Sequence, residues 1–226
     1  MAIAEDPKLE GWAVFAYRDF TVYEFALFLI EVALEMMSVA VGWQVYEITH
    51  RPLDLGLVGL AQFLPGIVLF LASGHAADRF DRRRLLMSCY GGFAVCAALL
   101  LAIAWRGSQS ANANIYAIYA VLVLLGTVRS FAGPATRVML PQLVPEEYFP
   151  NAVAWNASVF QGATILGPMA GGLIYTISHG PSMVYLTAML MASAALVSTL
   201  WMKLRTEAPA YEAASYLVPS QSLRLK

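Results

Sequence analysis

An all-α membrane protein of six transmembrane helices, built as two inverted repeats of three, is the expected form of this chain. Composition is the first reason. Of 226 residues, 59% are hydrophobic and 13% charged, with a mean hydropathy of +0.63, whereas soluble domains carry roughly 25% charged residues. The second reason is six continuous apolar runs, each close to or above the ~20 residues a helix needs to cross hydrocarbon. The runs do not alternate polar with apolar, which excludes a β-barrel. The third is a short turn over residues 78–84, where six of seven side chains are ionic. Hydrocarbon does not accept them, so the turn lies at a membrane face.

Residues 1–19 are mixed and charged, with no early apolar region and no small-residue cleavage site, so they are expected to form a cytoplasmic segment rather than a cleavable signal. The six-helix domain covers residues 20–203, with spans predicted at 20–48, 55–77, 85–105, 115–131, 151–177 and 183–202. Short polar connections separate them, and the 133–150 connection is punctuated by Pro134, Pro141, Pro145 and Pro150. Residues 204–226 are polar, contain Pro209 and Pro219, and read as a cytoplasmic tail.

Charge sets the orientation. With the N-terminus inside, eleven basic residues lie on the inner face, among them Arg79, Arg82, Arg83 and Arg84, against Arg51 and Arg106 outside. Short basic loops stay cytoplasmic, so both termini are expected there. An internal repeat is suggested by Leu64-Pro65-Gly66 in the second span and Gly167-Pro168 in its counterpart, the fifth. Cys89 and Cys96 lie seven residues apart in one span, too far along a helix to pair, and read as inert thiols. Neither a metal-ligand spacing nor a nucleophile constellation, phosphate loop or nucleic-acid patch is present in the sequence, so no catalytic residue, metal or cofactor is expected.

Ionic residues inside the spans are the candidates for chemistry. Glu24, Glu31 and Glu35 fall on one stripe of the first helix at ~100° per residue, continued by Ser38 and Gly42. A carboxylate facing lipid costs several kcal/mol, so the stripe should face protein or a wet cavity. There a carboxyl that gains and loses a proton would serve proton-coupled transport. For Glu24 a second reading stands beside this one, that it snorkels at the cytoplasmic interface. Arg129 is the one basic residue well inside a span and is expected near Glu24 or Glu31, where an ion pair would offset burial of both partners. Asn156 and Gln161 in the fifth span are further candidates to line a cavity.

The charged turn also resembles a signature. Gly74, Asp78, Arg79, Arg82 and Arg83 fit Gly-x-x-x-Asp-Arg-x-x-Arg-Arg, which resembles the loop between the second and third helices of the major facilitator superfamily. Asp81 stands where that pattern has its second glycine; a plain topogenic loop explains the arginines equally. Gly162, Gly167, Pro168, Gly171 and Gly172 resemble the Gly-Pro…Gly-Gly motif in the fifth helix of exporters of this superfamily. Arg129 matches the position of its fourth-helix arginine. Residues 46–49, 56–60 and 134–137 are similar to the bacterial branch that contains the enterobactin exporter.

The resemblance implies the N-terminal six-helix half of that fold in a bacterial inner membrane, exporting a small molecule by ion-coupled antiport and alternating access, without enzymatic activity. It implies a charged loop that latches the cytoplasmic side. The family's substrate site lies between two halves, so the expected partners are lipid, a small-molecule substrate and a second half, from a second copy or a separate chain. The alternative is a truncated or non-transporting membrane protein that binds a partner through its exposed face.

Overall fold

The computed structural model describes residues 11–70, 73–75, 81–106 and 111–202. Among them the long elements are six helices: α1 (Arg18–Thr49), α2 (Pro52–Val68), α3 (Arg82–Trp105), α4 (Ala111–Met139), α5 (Phe149–Ser178) and α6 (Ser182–Leu200). All except α2 are long and apolar enough to cross a membrane, while α2 has 17 residues. The predicted extension of α2 to residue 77 is only partly visible: residues 73–75 are helical, and 71–72 and 76–80 lie outside the described residues. The 203–226 stretch lies outside them too.

Helix ends follow local chemistry. Pro52 opens α2 and Pro150 stands in the first turn of α5, positions where a missing N–H costs nothing. The Asp81 Oδ1 accepts a hydrogen bond from the Arg84 backbone N–H at 3.0 Å, which caps α3 and satisfies a free donor. Thus the residue that departs from the loop signature starts the next helix. At the other ends, His50 and His179 close α1 and α5 in the left-handed region, at φ 51° and 53°.

One boundary departs from expectation. The sequence predicts an irregular connection from Gly133, yet α4 runs through Pro134 to Met139. Ala132, Ala135 and Met139 are buried, so packing of this turn carries the helix past a residue that lacks the N–H donor. Two short 3-10 turns, Leu140–Gln142 and Glu146–Tyr148, then lead into α5.

The packing displays the repeat more clearly than the sequence does. α1 packs most extensively on α5 and α6, α3 on α6 and α4, and α2 on α4. Exchanging α1 with α4, α2 with α5 and α3 with α6 maps this set of neighbours onto itself. Small residues make the two equivalent crossings. A Cβ at Gly171 would lie 2.9 Å from the Met36 Cα, and one at Gly167 3.1 Å from the Val32 carbonyl oxygen, so α5 rests directly on α1. At the matching crossing, a Cβ at Gly126 would overlap the Gln62 carbonyl of α2. Close backbone approach of this kind is how helices associate where lipid removes the hydrophobic drive.

Polar pins tie both ends. Near the start of α1, Trp155 donates from Nε1 to the Gly11 carbonyl at 2.7 Å, and its ring meets Trp12 and Phe15 at centroid distances of 4.6 and 4.9 Å. Arg83 donates to the Leu200 carbonyl at 2.6 Å, joining α3 to the end of α6. At the other end, the Tyr185 hydroxyl donates to Gln44 Oε1 at 2.6 Å and that of Tyr175 to Glu47 Oε2 at 2.8 Å.

Candidate functional site

A cavity of about 490 Å³ opens where α1, α3 and α5 begin and α4 ends. α1 supplies Tyr23, Leu27, Ile30, Glu31 and Leu34; α3 supplies Tyr90 and Phe93; α4 supplies Arg129, Ala132, Gly133 and Thr136; α5 supplies Phe149, Val153, Asn156 and Phe160. Polar groups that would be expensive in lipid are thus gathered around one space.

The glutamate stripe meets three environments. Glu24 is 3% exposed, and its Oε1 accepts a hydrogen bond from Asn156 Nδ2 at 3.0 Å. Snorkelling toward an interface does not describe it; the α5 amide holds it inside. Its Oε2 is buried and has no hydrogen-bond partner among the described residues. Glu31, on the cavity wall, also has a buried Oε2 with no partner among the described residues. Glu35 lies 3.7 Å from Arg129 Nη2, with side chains 24% and 47% exposed. Arg129 therefore pairs with Glu35 rather than with the predicted Glu24 or Glu31, although it shares the cavity with Glu31. Ser38 and Gly42, further along, line a separate apolar groove with Trp43 and Tyr46.

The other predicted residues divide. Asn156 is drawn to the site, whereas Gln161 is exposed and does not line the cavity. Gly167 and Gly171 are taken up by the α1 crossing, while Gly162 and Gly172 have open space around the missing Cβ. Pro168 lies within α5 between the two crossing glycines. Of the loop signature, Gly74 is helical and has no atom within 4 Å of a Cβ built on it. Asp78 and Arg79 lie outside the described residues, as does the Arg82 side chain.

Tyr90 is the residue that sequence reading missed. It is 1% exposed, lines the cavity, and its hydroxyl has no partner among the described residues. A tyrosine within an apolar span, seven residues before Ala97 on the buried face of α3, was the available signal. Tyr23 is the second, donating its hydroxyl to the Thr136 carbonyl of α4 at 3.2 Å.

The sequence profile of the Major Facilitator Superfamily matches residues 24–221. The chain belongs to this superfamily. The six long helices among the described residues fit an all-α membrane half of this superfamily. Among curated relatives, the staphyloferrin A transporter of Staphylococcus aureus is 23% identical over 155 residues, 69% of this chain and 38% of its own length. The multidrug efflux pump Tap of Mycolicibacterium fortuitum is 32% identical over 66% of this chain and 37% of its own. The enterobactin exporter EntS of Shigella boydii is 29% identical over 66% and 35%. The chain spans little more than a third of the length of each of these relatives. It is a multi-pass membrane protein of this family.

Proposed function

We propose that this chain forms one half of a bacterial inner-membrane exporter that moves a small molecule outward in exchange for an ion, by alternating access. The observation that carries the reading is the meeting of Glu31, Arg129 and Asn156 from three helices on one cavity wall, with Glu24 held by Asn156 behind it. A carboxyl with an unpartnered buried oxygen is suited to take up and release a proton as the cavity changes its exposure. The relatives named as efflux pump and exporter support the direction of transport.

This reading requires a second six-helix half facing the cavity. Support comes from residues exposed on α2 and on α5. Phe63, Ile67, Ile165 and Met169 are exposed there together with Gln161, and Gly162 leaves room for a close helix. With the positive-inside distribution, the cavity end is cytoplasmic and both termini lie on that side. The assembled protein in liposomes is expected to drive substrate against its gradient when a proton gradient is imposed, and a protonophore is expected to abolish that drive. Substrate movement that ignores the proton gradient would overturn proton coupling.

A further inference from the structure

We propose that the cavity binds a protonated organic amine, a cationic N–H donor carried on an aromatic or apolar body. The inference rests on the exporter reading and names the substrate class of that same site. Three observations converge on it.

The first is charge. Glu31 and Arg129 are the ionic residues on the cavity lining, with Glu24 held behind Asn156. Arg129 is engaged by Glu35 at 3.7 Å. Among the described residues neither Glu31 nor Glu24 forms an ion pair, so with Arg129 engaged by Glu35 the Glu31 carboxylate is an unbalanced charge on the wall whenever it is ionised. The second is hydrogen bonding. Glu31 Oε2 and the Tyr90 hydroxyl, both on cavity-lining residues, and Glu24 Oε2 behind Asn156, are buried and unpartnered among the described residues. Buried oxygens without donors are costly, and an ammonium supplies the missing N–H groups. An anion would instead meet unpaired acceptors and like charge. The third is lining. Phe93, Phe149 and Phe160 complete the wall, and aromatic faces attract a cation while accommodating its apolar body. A cavity of about 490 Å³ has room for a fused two-ring aromatic.

The test uses the full chain in lipid nanodiscs, titrated with three probes of one shape: 2-naphthylmethylamine as its cation, 2-naphthylmethanol, and 2-naphthoate. Empty nanodiscs give the partitioning blank. Saturable binding is expected for the ammonium, with the alcohol weaker and the carboxylate absent. Glu31→Gln should weaken the ammonium by about tenfold and leave the alcohol unchanged. Tyr90→Phe, which keeps the buried ring, should weaken it by roughly threefold. Glu47→Gln, at the far end of α1, should change nothing. Equal binding of all three probes, preference for the carboxylate, or ammonium affinity unmoved by both Glu31→Gln and Tyr90→Phe would overturn the amine site. Ammonium binding without flux from the cross-linked pair in liposomes would sink the exporter reading alone, and flux from that pair without ammonium binding would sink the amine site alone.

Discussion

Gly126→Ala is expected to destabilise the protein by about 1–3 kcal/mol, because one added carbon is overpacked against backbone rather than against a yielding side chain. The Cβ would enter the Gln62 carbonyl and push α2 off α4. At Gly162 the same change meets nothing within 4 Å, so the better helix propensity of alanine should stabilise by up to about 1 kcal/mol. Thermal unfolding in detergent, read beside the monodisperse fraction on size exclusion, compares the two. Opposite signs are expected. Equal effects would mean that the α2–α4 crossing is looser than described and that the internal repeat is not held by its small residues.

Arg129→Gln is expected to take coupled flux to background while sparing the fold. The ion pair with Glu35 is partly exposed, and such pairs contribute roughly 0–1 kcal/mol to stability. The functional cost differs in kind, since the cavity loses its lining cation and Glu35 its partner. Removing both charges, with Glu35→Gln added, should restore any lost stability without restoring flux. Flux near the original level in Arg129→Gln would reduce the pair to a surface contact and remove Arg129 from the transport machinery.

The sequence shows the helices well because hydropathy over a span is a sum of many residues, and α1, α3, α5 and α6 begin and end within a few residues of their predicted limits. Ends governed by packing were less legible. α4 continues through Pro134 because its last turn is buried, which a proline read in isolation does not reveal. The glutamate stripe was readable from helical periodicity, but its three environments were not. Asn156 reaches Glu24 across 132 positions of sequence, and only the crossing of α5 over α1 brings them together. Arg129 was recognised as needing a partner. Its choice of Glu35 depends on how far α4 slides along α1, which periodicity does not encode. Tyr90 looked like an ordinary apolar-span residue, because a phenol carries no charge to mark it. The loop signature was the strongest motif in the sequence, and the residue that breaks it, Asp81, has a local task as the cap of α3.

The central claim is that this chain works as one half of a two-half exporter. Its most direct test is flux measured on liposomes whose protein mass has been determined, with the 226-residue chain reconstituted once as isolated monomer and once as a cross-linked pair. The account predicts background flux from the monomer and proton-driven flux from the paired form. Robust substrate-dependent flux from a demonstrated monomer would contradict it and require a complete pathway inside a single six-helix bundle.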